Sequence, residues 1–112
     1  MSVARGKVHL FDKKETEIAR LAGVLSHPAR VAILRILSKR DECVCGEIVQ
    51  DIPLAQATVS QHLKELKSAG IITGTIEGPK SCYCVDWERL EQFRKIIDGF
   101  LTDIKENHKE CC

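Results

Sequence analysis

The chain has 112 residues, 44% of them apolar, 29% charged and 4% aromatic, with a formal net charge of +1. That size and balance, close to the average of globular proteins and without a low-complexity stretch or linker to divide the chain, predict one domain, 1–112, with an aliphatic core. No apolar run approaches the roughly eighteen residues of a membrane span and no signal-like hydrophobic segment follows the first residues, so the expected setting is cytoplasmic, with no membrane partner.

The charge is unevenly spread. Residues 1–40 carry nine Lys and Arg against three Asp and Glu, and residues 41–112 carry eight against thirteen. A basic N-terminal surface is thereby available to phosphates.

After a short N-terminal arm, 1–12, the residues Ile18, Leu21, Ala22 and Leu25 recur at helical spacing and predict a first helix over 15–25. Ser26-His27-Pro28 reads as a capping segment with proline at the first helical position, leading into 29–37, apolar around most of its circumference and expected to be the core helix. Asp41-Glu42-Cys43 is expected to open a short third helix that buries Ile48 and Val49 and ends near Ile52, before Pro53. From Gln56 to Ala69 a fourth helix is predicted, with Val59, Leu63 and Leu66 as a single buried stripe and Gly70 as its stop.

Two β-prone runs, 71–76 and 81–85, flank Glu77-Gly78-Pro79-Lys80, a hairpin turn. From Trp87 onward Leu90, Phe93, Ile97, Phe100, Leu101 and Ile104 mark a long final helix, followed by a tail, 106–112, that ends in two cysteines. The fold class is therefore mostly α with a small β hairpin, a winged helix-turn-helix. One small core covers the apolar stripes of the first and last helices only in part, so Leu21, Leu25, Phe93, Ile97 and Phe100 are expected to pair with a second copy in a homodimer.

Burying Val59, Leu63 and Leu66 turns Ala57, Thr58, Gln61, Lys64, Glu65 and Ser68 of the fourth helix toward solvent. Gln56, Thr58, Ser60 and Gln61, near its N-terminus, have the donors and acceptors that base edges require; His62, Lys64 and the wing-tip Lys80 suit phosphate. Taken alone, that helix is equally an ordinary packed one, and His62 a half-buried packing histidine. The order of helix, turn, polar-faced helix and basic-tipped hairpin is what favours double-stranded DNA.

Three stretches, Ser26-His27-Pro28-Ala29-Arg30-Val31-Ala32-Ile33-Leu34, Thr58-Val59-Ser60-Gln61-His62-Leu63-Lys64-Glu65-Leu66 and Ala69-Gly70-Ile71-Ile72, closely resemble the ArsR/SmtB family of bacterial winged-helix metalloregulators. The resemblance covers about residues 15–105. It implies a homodimer paired through the first and last helices, bound to an operator with two-fold symmetry and released when an inducer binds. It also implies a transcriptional repressor rather than an enzyme.

Six cysteines stand in three pairs, Cys43/Cys45, Cys82/Cys84 and Cys111/Cys112, and in a cytosolic chain read as thiols for metal or redox chemistry. The resemblance extends to the first pair: arsenite-responsive members of that family carry Cys-Val-Cys at the start of the third helix, the position of Cys43-Val44-Cys45. Residues two apart on a regular helix point about 200° away from each other, so both sulfurs meet one ion only at a frayed or distorted helix start. A helix N-terminus also favours the thiolate. Trivalent arsenic is the expected inducer, with antimonite or a soft divalent metal as alternatives and no organic cofactor.

Two departures from the family pattern bear on that site. Ile48 stands where some arsenite sensors have a third cysteine, so a third sulfur must come from Cys82/Cys84 or Cys111/Cys112. The paired Asp/His ligands of the zinc-sensing branch are missing, since Asp98 is followed by Gly99 and Phe100, with His108 beyond. On the second wing strand Tyr83 and Val85 are the natural core-facing residues, which sends Cys82 and Cys84 to the wetter face.

A thiol redox or persulfide sensor of the same fold is the alternative function. A thiol enzyme or metal carrier, such as an arsenate reductase, is remote, because Glu42 and Glu47 flank Cys43 where an oxyanion would need a Gly-, Ser- or Arg-rich loop.

Overall fold

The elements follow the apolar periodicity closely, with one exception at the first cysteine pair. The computed structural model describes residues 10–40, 43–45, 52–75 and 81–108. In chain order these form α1 (Lys13–Val24), α2 (Pro28–Ser38), β1 (Val44–Cys45), α3 (Gln56–Ser68), β2 (Ile72–Thr75), β3 (Cys82–Val85) and α4 (Trp87–Glu106). No single helix among the described residues is long and apolar enough to cross a membrane.

Three of the four described helices begin for a local reason, while α3 starts after Ala55 with no side-chain cap. Asp12 and Glu15 form a reciprocal capping box at α1, the Asp12 carboxylate accepting from the Glu15 amide at 2.7 Å and Glu15 accepting from the Asp12 amide at 3.1 Å. Pro28 occupies the first turn of α2, where no intrahelical donor is needed, and the chain between α1 and α2 bends by 80°. The Asp86 carboxylate caps α4 by accepting from the Arg89 amide.

The third element departs from expectation. Val44–Cys45 is a strand, not the start of a helix, and it joins the hairpin in a three-stranded antiparallel sheet of order β1-β3-β2. Val44 pairs with Tyr83 and Cys45 with Cys82. The physical reason is that an apolar residue between two cysteines has the period of a strand: Val44 faces the core beside Tyr83, and both cysteines face outward. The rest of the expected third helix, 46–51, lies outside the described residues, while Ile52 beyond it is buried.

Leu21, Ile33, Val59, Leu66, Ile71 and Ile72 are fully enclosed and define the core between the helices and the inner sheet face. This corrects part of the expected dimer surface: Leu21 is 0% exposed and Phe93 6%. Both are consumed by the chain's own core, where α1 and α4 pack on each other. The apolar residues exposed near these two helices are Leu10 and Phe11 ahead of α1 and Trp87, Phe100, Leu101 and Ile104 on α4, while Leu25 and Ile97 are partly buried against the core.

Two arginines and one glycine hold α3 in place. Gly70, at φ +81°, ends it in a Schellman motif, with the Gly70 amide donating to the Lys67 carbonyl at 2.9 Å and the Ile71 amide to the Leu66 carbonyl at 3.0 Å. Arg89 on α4 donates to the Ala69 carbonyl at that end and to the Glu17 carboxylate of α1 at 3.2 Å. Desolvation pushes Glu17 upward, but the Arg89 hydrogen bond and the Arg20 charge outweigh it and leave the carboxyl below its usual range. Arg30 on α2 donates from Nε to His62 Nδ1 at 3.1 Å and from Nη1 to the Val24 carbonyl at 3.3 Å.

Candidate nucleic-acid interface and cysteine face

The α3 stripe of Val59, Leu63 and Leu66 is buried, so the opposite side of the helix is displayed. Gln56, Ala57, Thr58, Gln61, Lys64, Glu65 and Ser68 are exposed, and Ser60 is half-buried. Gln61 Nε2 donates to Glu65 Oε1 at 3.2 Å, a bond that must open or turn for the amide to reach a base edge. Lys80 and the rest of the wing tip, 76–80, lie outside the described residues.

His62 occupies a different setting from its neighbours. It is half-buried, its Nδ1 accepts from Arg30, and its ring centroid lies 5.3 Å from that of His27. Burial first, then the nearby Arg30 and His27, hold it below its usual pKa of 6.5, with Glu65 pulling the other way. A neutral imidazole that accepts at Nδ1 carries its proton on Nε2, so the side chain keeps one donor for a phosphate oxygen.

Sequence reasoning did not find Arg30 or Arg89 as the residues that orient this helix. The available signal was weak: Arg30 is one of two charged residues on the apolar helix α2, and Arg89 is one of many on the amphipathic helix α4. Their partners lie as far as 72 residues away in sequence.

The outer sheet face brings together two of the three cysteine pairs. Cys43 stands against Cys84 and Cys45 against Cys82, with Cα separations of 4.4 and 4.0 Å, and each pair is joined as a disulfide. Short separations of this kind mark the non-hydrogen-bonded positions of an antiparallel ladder, where side chains approach most closely. Thr73 and Thr75 of β2 continue the same face beside Cys84 and Cys82, and Thr73 Oγ1 lies 3.7 Å from Cys84 Sγ. Gly74 lets β2 pass this close to β3, since a Cβ there would run into the Cys82 carbonyl.

With the sulfurs paired, no group of three or more His, Cys, Asp or Glu side chains among the described residues is placed to hold a metal ion. Reduced, the same four sulfurs would be a soft donor set on one face. Cys111 and Cys112 lie outside the described residues.

Residues 27–73 match the model of a family described as bacterial regulatory proteins, arsR family. An uncharacterized HTH-type transcriptional regulator of Methanocaldococcus jannaschii is 31% identical over 77% of this chain and 97% of its own length. The arsenical resistance operon repressor of Staphylococcus xylosus is 30% identical over 73% of this chain and 78% of its own length. The solution structure of a homodimeric winged helix-turn-helix DNA-binding domain from Mycobacterium bovis superposes with a TM-score of 0.58 at 21% identity, covering 100% of this chain and 99% of that one.

Proposed function

The chain belongs to the arsR family of bacterial regulatory proteins, and from that premise we propose that it is a homodimeric repressor whose cysteine face releases it from DNA on binding a thiophilic ion. Helix α3 enters the major groove of an operator with two-fold symmetry. Gln56, Thr58, Ser60 and Gln61 read base edges, and His62, Lys64 and Lys80 contact phosphates. The dimer forms through α1 and α4: Phe11, just ahead of α1, and Phe100, Leu101 and Ile104 on α4 stand exposed.

One observation supports the sensing half: Cys43, Cys45, Cys82 and Cys84 share one face of a sheet whose β2 strand follows directly from the end of α3. In the reduced state Cys43 and Cys45 with a sulfur of the β3 pair satisfy the three-thiolate preference of trivalent arsenic, and the face also suits antimonite or a soft divalent ion. An ion shared by Cys43, Cys45 and a β3 sulfur must gather two same-strand thiolates whose Cα atoms stand about 6.5 to 7 Å apart, which distorts β1 and its pairing with β3. That strain reaches α3 through β2 and the Gly70 turn. A coupling of about 1 to 3 kcal/mol, roughly 5- to 150-fold in DNA affinity, is the usual scale of such effects.

The test uses reduced protein and DNA selected by it from a random pool. Arsenite should weaken binding in fluorescence anisotropy, and the Cys43→Ser/Cys45→Ser double variant should hold DNA equally well with and without it. Release of that variant by arsenite would place the sensing sulfurs elsewhere, with Cys111 and Cys112 next to be replaced.

A further inference from the structure

The cysteine face carries a second chemistry that ion binding leaves unused. The paired cysteines are 41 and 37 residues apart in sequence, so the sheet register selects them, not chain proximity. Along one strand Cys43 and Cys45, or Cys82 and Cys84, stand about 6.5 to 7 Å apart at Cα. That lies at or beyond the usual limit for a disulfide, whereas the crossed pairs are already within it.

We propose that the β1–β3 ribbon is a reversible thiol-oxidation site for a low-molecular-weight disulfide, and that its oxidised form keeps DNA affinity while losing the response to thiophilic ions. The last clause rests on the sensing function proposed above.

The order of attack follows from exposure. Cys43 and Cys45 are exposed, while Cys82 and Cys84 are half-buried. A cavity of about 250 Å³, lined by Leu37, Arg40, Tyr83 and Trp87, opens beside Cys43 and Cys84 and gives an incoming disulfide room at that pair. The Cys43 thiolate attacks one sulfur of R–S–S–R; a mixed disulfide forms, the R–S–S–R bond breaks and one RS⁻ departs. The Cys84 thiolate then attacks Cys43 Sγ, closes the crossed bond and expels the second RS⁻. Two electrons pass from the cysteine pair to R–S–S–R, and the two thiol protons end on two RSH. Cys45 and Cys82 repeat the exchange with a second molecule.

The direction of the effect follows from where the bonds fall. They join residues that already stand opposite each other, on the face away from Val44, Tyr83 and Val85, so the core and the seating of α3 are unchanged. They also consume all four sulfurs, leaving no thiolate on this face for an ion.

The experiment takes the full chain, reduced and freed of metal with a chelator, and exposes it to glutathione disulfide. Peptide mapping by mass spectrometry should find Cys43 joined to Cys84 and Cys45 to Cys82, reversed by dithiothreitol. DNA affinity should stay within about twofold of the reduced form, and arsenite should change it by less than about twofold. The Cys84→Ser variant should stop at a mixed disulfide on Cys43, showing which sulfur is attacked first. Same-strand pairs, pairs to Cys111 or Cys112, or a loss of DNA affinity of about tenfold or more on oxidation alone would overturn the proposal. Failure of the reduced protein to respond to arsenite would sink the ion-sensing function instead, because the mapping and the affinity of the oxidised form involve no ion.

Discussion

The α3 helix and the cysteine ribbon are both displayed surfaces, yet they are held by different means. Three buried side chains, a Schellman turn and two arginines fix α3 from below, while its outer face is left polar. The ribbon has a core face of Val44, Tyr83 and Val85, but its outer face is organised by strand register and by the sulfurs themselves. A surface that reads a rigid partner must keep its shape. One that responds to a small reagent must be chemically open without carrying the core, and the ribbon meets that condition.

Truncating the foundation of α3 should produce the largest effect and breaks the comparison from the side of the core. Leu66 is 0% exposed, so Leu66→Ala should cost about 2 to 5 kcal/mol in denaturant unfolding, a large part of a domain's stability. Under reducing conditions the Cys43→Ser/Cys45→Ser double variant should change stability by no more than about 0.5 kcal/mol, as exposed substitutions do. Comparable losses in the two variants would mean that the ribbon is part of the structural core.

Next in size is the face proposed to read bases. Gln61→Ala removes an exposed amide that contacts only Glu65 within its own helix, so stability should hold while DNA affinity falls by about 1 to 3 kcal/mol for the preferred sequence. Binding to a panel of single-base variants of the selected DNA checks it: loss of discrimination at one position is expected, and unchanged discrimination would remove Gln61 from the base-reading set.

How far each surface was legible follows the same division. The α3 stripe is a local pattern at helical spacing, ended by a glycine that the turn requires, and it was readable from 56–70 alone. Tyr83 and Val85 were readable by alternation. The strand at Val44–Cys45 was misread because two residues are too few to show a period and the family resemblance placed a helix there; the missed signal was the match of Cys-Val-Cys to Cys-Tyr-Cys, two alternating runs able to face each other. Helix α1 was placed with its stripe slightly turned, since Val24 is buried and Ala22 exposed. The crossed cysteine pairs, the Arg30–His62 contact and the Arg89 clamp each join residues twenty or more positions apart, and only the closed fold reveals them.

A smaller effect should follow from loosening α3 without touching its stripe. Arg30→Ala removes the donor to His62 Nδ1 and to the Val24 carbonyl, both partly buried. A loss of about 1 to 2 kcal/mol in stability is expected, near the lower end of the scale for hydrogen bonds from a charged group because both bonds are only partly buried. DNA affinity should fall with it, because the helix loses one of its two arginine supports. If affinity is unchanged, the Arg30 contact packs the helix without orienting it.

The smallest effect separates the two surfaces by pH. His62 is held below its usual pKa of 6.5 by burial, then by Arg30 and His27, against the opposing pull of Glu65. The folded chain therefore takes up this proton at lower pH than the unfolded chain does. Above about pH 6.5 the stabilisation from this group is fully present, and it is lost as pH falls through the folded pKa, because the unfolded chain binds more protons over that interval. His62→Gln, which keeps a polar side chain of similar reach, should flatten the stability profile below pH 6.5 and leave it unchanged at pH 8. Thermal unfolding of the reduced protein from pH 5 to 8 measures this without contribution from the disulfides. An equally steep profile in the variant would assign the pH dependence to other groups and leave His62 only its proposed phosphate contact.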